Sequence, residues 1–438
     1  MSNIPKEVVQ EPVLGIKKPL TYLYIILYVG WKYTLELLTF KMNPWRYLIY
    51  LRRLLIAIKG FYENKIMKIN GQYKIQLYLP AFPSKPFFHA LKKFDPDNKN
   101  PGPITVVFSM TKACPYKCPH CYQRNDQGPE LDMALLKKTA KEMQELGVSM
   151  FDLEGGEPLV RFNRLLDLLS VFDERAEVWV NTTGYSLTEE KAQQMKAANV
   201  YGVMISLHTP HPQEYESFTQ MEGSFDIATK AIKMFQKYGI VTAINFCPSA
   251  KQIRNGDVEK LFKITSELKV SLVQVIHAKP SGAWLYEKDE IFDSEELMQK
   301  LREYHHRFNE GPEASNYPSI IFQVMEEDKD HFGCTAGGID RFYFNHEGEV
   351  QPCEFINISF GNVNEEPFLE IFQRMRYHFK RPGVKWTCCT EAMRIGEALK
   401  QNNVPKTPLP WKYTKEIIEK WDKGEETPLY KKMGIYKK

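Results

Sequence analysis

The sequence predicts an α/β protein: an open, partial (β/α)6 barrel, preceded by an apolar and basic helical region and followed by a small Cys-rich domain. Three observations predict it. From Ile104 to about Asn309, six apolar runs of β type alternate with amphipathic stretches, the pattern of a parallel sheet wound with crossover helices. The eight cysteines of this 438-residue chain are clustered, which suits metal binding in a reducing compartment better than a disulfide scaffold. The residues before Lys68 concentrate apolar, aromatic and basic side chains.

That first region, 1–66, holds two helical segments. Leu20–Trp31 (LTYLYIILYVGW) is uncharged but is followed by Lys32 and Glu36. It is shorter than the roughly 18 residues a spanning helix needs, so it reads as interfacial or core. In Pro44–Tyr62, Leu48, Leu51, Leu55 and Ile58 share one face, Arg46 and Arg53 lie away from it, and Arg52 and Lys59 sit near its edge. Between Met1 and Lys68 eleven Lys/Arg face four acids, an excess of seven against +4 for the whole chain. A basic, apolar, Trp/Tyr-rich segment is what an anionic membrane surface attracts. The other reading is two helices packed on the rest of the protein. No secretory signal is evident, so the expected location is cytoplasmic, peripheral on the inner face of the cell membrane. The small net charge gives no footprint for nucleic acid.

Residues 67–103 follow as hairpin and linker. Met67–Pro80 alternates apolar residues around Asn70-Gly71, a hairpin turn signal. The barrel, 104–310, offers strands at Thr105–Met110, Met150–Leu153, Glu177–Asn181, Gly202–Leu207, Val241–Phe246 and Ser271–Ile276. Helical periodicity falls at Leu131–Leu146, Glu189–Asn199, Phe225–Tyr238, Asp257–Leu268 and Ser294–Phe308. Six units fall short of the eight that close a barrel, and ligands of such sheets sit at the carboxyl ends of the strands. Residues 318–400 are turn- and Cys-rich, with a short strand at Arg341–Asn345. Residues 401–438 read as a tail or an exposed helix at Lys415–Lys423.

The chemistry lies in the cysteines. After the first barrel strand, Cys114, Cys118 and Cys121 are spaced C-x3-C-x2-C on a loop stiffened by Pro115 and Pro119. Three thiolates on one loop can hold three irons of a [4Fe–4S] cluster and leave the fourth open. Zinc would want two ligand pairs, and His120, between two of the cysteines, is badly placed to complete one. At the end of the second strand stands Gly155-Gly156-Glu157-Pro158, where glycine lets backbone approach a ligand and a carboxylate can pair with an ammonium.

Together these motifs resemble the radical S-adenosylmethionine (SAM) superfamily over roughly Ile104–Pro280, with His120 in the ring position before the last cysteine. The resemblance implies that Gly155, Gly156 and Glu157 bind the methionine end of SAM. It implies further cofactor contacts from Asn181, Thr183, Ser206, His208 and Asn245 at strand ends, and from His120. His208 stands where members often carry Asp. His277 and Pro280-Ser281-Gly282 resemble the adenine-side loop, with Ala283 in place of a frequent arginine. The implied reaction is reductive cleavage of SAM to a 5′-deoxyadenosyl radical, which takes hydrogen from an unactivated carbon. An electron donor such as flavodoxin or ferredoxin is then needed.

Cys334, Gly348 and Cys353 follow the pattern C-x13-G-x4-C, and Cys388 and Cys389 come later. This resembles the SPASM/twitch-like C-terminal extension of radical SAM maturases. The full extension has seven cysteines and two clusters; four cysteines imply one auxiliary [4Fe–4S] cluster, with structural zinc as the alternative. Cys247, alone on a strand, reads as a buried apolar residue. No residue is assigned a catalytic step; Tyr122, Arg124 and His208 are candidate cavity residues. The membrane-type N-terminus favours a lipid-like or membrane-resident substrate, with Pro80–Phe94 lining its entrance. The alternatives are a peptide- or protein-modifying maturase and, more remotely, a non-catalytic iron–sulfur or zinc scaffold.

Overall fold

A computed structural model describes residues 7–40, 42–98, 101–124, 126, 128–286, 294–422 and 424–436. Lys6 and Lys41 of the basic N-terminal excess lie outside them. The N-terminal region runs β1 (Gln10–Val13), α1 (Lys17–Leu38), α2 (Pro44–Gly60), β2 (Ile66–Ile69), β3 (Gln72–Lys74) and α3 (Lys85–Leu91). The expected hairpin is β2–β3, turning on Asn70 and Gly71 at φ 50° and 86°. β1 adds a third, antiparallel strand that the sequence pattern did not announce.

The barrel follows as β4 (Thr105–Ser109), α4 (Met133–Leu146), β5 (Met150–Glu154), α5 (Phe162–Leu169), β6 (Glu177–Thr182), α6 (Glu189–Ala197), β7 (Val200–Ser206), α7 (Pro212–Thr219), α8 (Ser224–Lys237), β8 (Val241–Phe246), α9 (Ala250–Asn255), α10 (Asp257–Glu267), β9 (Leu272–Val275) and α11 (Glu295–Glu310). The chain closes with β10 (Ser319–Phe322), α12 (Gln323–Glu326), β11 (Arg341–Phe344), β12 (Val350–Gln351), α13 (Phe368–His378), α14 (Thr387–Gln401), α15 (Trp411–Ile418) and α16 (Pro428–Met433). The six expected strands are β4–β9, in order and within a residue or two. The sheet is larger than six, however: its order is β10-β9-β8-β7-β6-β5-β4-β11-β12. β10 pairs parallel with β9, and the strand expected near Arg341 pairs parallel with β4. Short runs such as SIIF carry no period long enough to be assigned to a distant partner.

The amino end of the barrel is plugged. Trp179 on β6 is fully buried and lies over Gly202 on β7, where a β-carbon would stand 2.6 Å from the ring. The Trp179 indole N–H donates to Glu177 at 2.9 Å, and Glu177 pairs with the buried Lys74 ammonium. Met67, Ile69 and Leu77 pack against Met150, Met204 and Leu272 across the same end. The carboxyl ends of the strands are left open for ligands.

The flanks bring one correction, at the C-terminal tail, and show which face of α2 packs. In α2 the buried residues are Tyr50, Arg53, Leu54 and Ala57, whereas Leu48 and Leu55 are exposed. Arg53 can be buried because its guanidinium donates to the carbonyls of Met433 and Phe94 at 3.2 Å each. Residues 401–438 are no exposed tail: Leu429, Tyr430, Met433 and Ile435 join the core formed by α1, α2 and α3. α1 buries Tyr22, Ile25, Val29 and Tyr33 and turns Leu20, Leu23, Leu27, Trp31, Leu35 and Leu38 outward. Among the described residues, no helix is long and apolar enough to cross a membrane.

Candidate active site

The loop after β4 carries Cys114, Cys118 and Cys121 and is stitched to the end of β5. The Gly156 amide donates to the Thr111 carbonyl, and the Glu157 amide to the Ala113 carbonyl, at 2.7 Å each. The approach leaves no room for side chains. A β-carbon at Gly155 would stand 2.2 Å from the Thr111 oxygen, and one at Gly156 2.4 Å from the Ala113 oxygen. The two glycines are therefore what lets the cysteine loop close onto the barrel mouth.

All three cysteines line one cavity of about 420 Å³ at the carboxyl ends of the strands. Asn181, Thr183, Ser206, His208 and Asn245 reach the same cavity from β6, β7 and β8, as do His120, Tyr122 and Arg124. The carbonyl oxygens of Asn181 and Asn245 are buried there without hydrogen-bond partners among the described residues. Acceptors so placed suit an ammonium or ribose hydroxyls. His120 meets His208 edge to face, 4.5 Å between ring centres, with Phe218 at 4.8 Å and Trp284 at 5.7 Å. Burial holds His120 down to about 4, and burial with the neighbouring His120 lowers His208. Both rings are neutral near pH 7.

Glu157 is placed differently from expectation. Its carboxylate accepts from the Leu159 amide at 2.9 Å, and from the Thr182 hydroxyl, the Thr183 amide and the Thr183 hydroxyl at 2.6 Å each. With four donors already met, it locks the ends of β5 and β6 together, set back behind the residues that line the cavity. The backbone of Gly155 and Gly156, which lines the cavity, is left to approach the ligand.

Beneath lies a carboxyl group that the sequence reading passed over. Glu154, immediately before Gly155, accepts from the Tyr122 hydroxyl, from Gln123 at 3.0 Å and from Asn181 at 3.2 Å. Burial pushes it up to about 7. Its signal in the sequence is an acid at the carboxyl end of an otherwise apolar strand, which also buries Asp152. Cys247, expected as a buried apolar residue, and Lys279 also line the cavity.

The loop His277–Gly282 bridges to the second set of cysteines. The Gly282 amide donates to Asn357 at 3.0 Å, and the Ala283 amide to the Cys121 carbonyl at 3.2 Å. Cys334 exchanges backbone hydrogen bonds with Gly383 at 2.8 and 3.2 Å, and its sulfur lies 3.9 Å from the Thr387 hydroxyl. That brings it to the first turn of α14, where Cys388 and Cys389 stand with sulfurs 4.0 Å apart. Helix amino ends favour thiolates. Cys353 is buried, with the Arg341 guanidinium 3.9 Å from its sulfur, and it is an electrostatic neighbour of Cys388.

The donor chemistry fits iron–sulfur clusters better than zinc. All eight cysteines are free thiols. Burial raises Cys114 and Cys118 to about 12 and Cys121 to about 11, so without a metal they are neutral thiols whose protons a metal must displace. Zinc draws its sulfurs to within about 4 Å of one another. Among the described residues the one trio of ligand atoms within 4.8 Å is His211, Glu214 and Asp257, and there the Lys260 ammonium already sits 2.9 Å from Asp257. Among the described residues no three cysteine sulfurs fall within 4.8 Å of one another, although Cys388 and Cys389 stand 4.0 Å apart as a pair, and a wider spread is what one thiolate per iron of a cubane requires.

Comparison with known proteins agrees. Residues 108–250 match the model of the radical SAM superfamily, and residues 334–400 that of the SPASM iron–sulfur cluster-binding domain. The AdoMet-dependent heme synthase of Nitratidesulfovibrio vulgaris is 23% identical over 297 residues, covering 63% of this chain and 80% of the relative. The PqqA peptide cyclase of Gluconobacter oxydans is 24% identical over 281 residues, covering 62% and 76%. Among solved structures, Streptococcus suis SuiB bound to precursor peptide SuiA shares the fold, with TM-score 0.52 and 16% identity over 65% of this chain and 68% of that one. With its cysteine loop, Gly-Gly strand end and second cysteine set so arranged, the chain belongs to the radical SAM superfamily, as an enzyme that uses SAM, a SAM-coordinated [4Fe–4S] cluster and a SPASM auxiliary iron–sulfur centre.

Proposed function

We propose that this radical SAM enzyme works at an anionic membrane surface and takes hydrogen from a lipid-like substrate. One observation carries the reading: α1 and α2 turn an apolar face outward and enclose an apolar cavity inward. Trp31 is 61% exposed, Leu27 62% and Leu48 58%, a far larger patch than isolated surface apolar residues make. Beneath it a cavity of about 170 Å³ is lined by Ile25, Val29, Leu54, Phe87 and Phe332. The cavity reaches Tyr78, Thr105 at the start of β4 and Arg341 at the start of β11. Tyr78 in turn contacts Gln274 on β9 at 3.0 Å. Part of the Pro80–Phe94 segment, Phe87, Leu91 and Phe94, lines this cavity rather than the mouth above.

The residues divide the work as follows. Cys114, Cys118 and Cys121 hold the first cluster, and Cys334, Cys353, Cys388 and Cys389 the second, so that 104–310 is the catalytic barrel and 318–400 the auxiliary domain. Bound SAM supplies a 5′-deoxyadenosyl radical on reduction, with a flavodoxin or ferredoxin as electron source. Gly155, Gly156, Asn181 and Asn245 orient the cofactor through backbone and unpaired carbonyl oxygens. His120, Phe218 and Trp284 wall off water on one side, which protects a reactive species. Glu154 can accept or return a proton in the floor.

The test is anaerobic turnover with vesicles of phosphatidylglycerol carrying perdeuterated acyl chains. Deuterium in 5′-deoxyadenosine is expected, and it should be lost together with vesicle flotation in a Leu27→Glu/Trp31→Glu variant. No flotation of the wild type refutes the membrane reading. A second reading, peptide modification, is favoured by the PqqA peptide cyclase relative; deuterium arriving from a labelled peptide and not from lipid would select it.

A further inference from the structure

We propose that Lys279 is an anion-binding residue of the active site: backed by the Trp386 indole, its ammonium receives a singly charged oxyanion of the substrate, a carboxylate or a phosphodiester, between the two cysteine sets. The inference rests on the radical SAM site and not on the lipid reading.

Lys279 is 5% exposed, and among the described residues its ammonium has no hydrogen-bond partner. The other deeply buried lysines are all provided for. Lys65 donates to the carbonyls of Ala314, Tyr317 and Pro318 at 2.8–3.0 Å. Lys74 pairs with Glu177, and Lys93 with Asp340. Lys279 has only the face of Trp386, 3.3 Å from the ring centre. The indole face offsets only part of the cost of burying an unpaired charge. The difference is left for an anion.

The position says which anion. Lys279 lines the cavity that also holds Cys114, Cys118 and Cys121, and its charge reaches Cys247 and Cys388. The group it binds therefore lies between the two clusters, where a substrate must sit to meet both. The second cluster does not need this cation: Arg341 stands at Cys353, and the first turn of α14 faces Cys388 and Cys389. Trp386 is fixed in place by its N–H to the Glu327 carbonyl at 2.9 Å. A single ammonium, lacking the planar fork of arginine, selects a charge rather than a bidentate geometry, and one cation calls for one negative charge.

The test uses anaerobically reconstituted, dithionite-reduced holoenzyme with acetate and dimethyl phosphate as probes. Relaxation of the acetate methyl carbon and of the phosphorus by the paramagnetic clusters is followed by NMR, with iron counted in each sample. Wild type should show saturable relaxation with at least one probe. Lys279→Met should bind it at least ten-fold more weakly at equal iron, and Lys279→Gln, a second neutral variant that keeps polarity, should do the same. Acetate alone points to a carboxylate substrate, and dimethyl phosphate alone to a phosphodiester such as a lipid headgroup. Absence of saturable relaxation with both probes in wild type overturns the proposal. So does unaltered probe binding in the variants with a shifted potential of the second cluster, which would give Lys279 to that cluster instead.

Discussion

Gly282 lies flat against the backbone of Tyr122: a β-carbon there would stand 2.2 Å from both the Tyr122 carbonyl oxygen and its α-carbon, and the glycine has φ +54°. With Gly282 bonded to Asn357 and Ala283 to Cys121, this contact ties the first cysteine loop to the C-terminal segment, beside the Gln123–Tyr343 and Thr407–Asp126 hydrogen bonds. Gly282→Ala adds roughly 1–2 kcal/mol of backbone strain to a collision that only a shift of the loop can relieve. Formation of 5′-deoxyadenosine should fall at least about ten-fold, the effect of 1.4 kcal/mol on a barrier, with the far-UV circular dichroism intact. Full activity would show that the two loops move independently.

Glu157 should behave as a structural lock. Glu157→Gln replaces acceptors with an N–H group facing donors from Thr182, Thr183 and Leu159. Leaving buried donors unmet costs about 1–3 kcal/mol each, so urea unfolding should show a loss on the order of 3 kcal/mol even in cluster-free protein. A variant as stable as wild type would return the carboxylate to the cofactor.

The barrel was legible because each unit carries its own period and punctuation. In α4, Asp132 caps the Ala134 and Leu135 amides and Gly147 ends the helix at φ 119°, just where the apolar spacing from Leu131 to Leu146 stops. The cysteine loop and Gly155-Gly156 were legible because spacing along the chain is spacing in the site. What failed depended on contacts distant in sequence. Arg53 reads as a solvent-facing charge until Met433 and Phe94 supply carbonyls some 380 and 41 residues away. The tail reads as exposed until Tyr430 and Met433 find α2. The partners of Glu157 were hidden too, because the sequence shows its carboxylate but not Leu159, Thr182 and Thr183 donating to it.

Glu326 gives a pH signature outside the clusters. It accepts from Asn64 and Gln76 at 2.9 Å each, and burial raises it from 4.5 to about 7. The folded protein thus binds this proton more tightly than the unfolded chain. Its contribution is complete below about pH 4.5 and is lost as pH rises through about 7. Glu326→Gln cannot titrate, so its stability relative to wild type should rise between pH 5 and pH 8, by about 2 kcal/mol. Parallel profiles for the two proteins, measured by urea unfolding, would place the titration elsewhere.

Arg53 should anchor the C-terminus to the N-terminal helices. Its guanidinium meets the carbonyls of Met433 and Gly434 at the carboxyl end of α16, and that of Phe94. Cations there satisfy carbonyls that the helix itself cannot and oppose its dipole. Arg53→Met keeps the apolar stem but strands three carbonyls, at about 1 kcal/mol or more each, giving a loss of roughly 3 kcal/mol. The neighbouring Arg52 is exposed and donates to the Lys432 carbonyl at 2.7 Å, where water can replace it, so Arg52→Met should cost under about 1 kcal/mol. Limited trypsin digestion separates the cases: cleavage after Lys431 and Lys432 should accelerate in Arg53→Met and not in Arg52→Met. Equal protection in both would mean that Leu429, Tyr430 and Met433 hold α16 by packing alone.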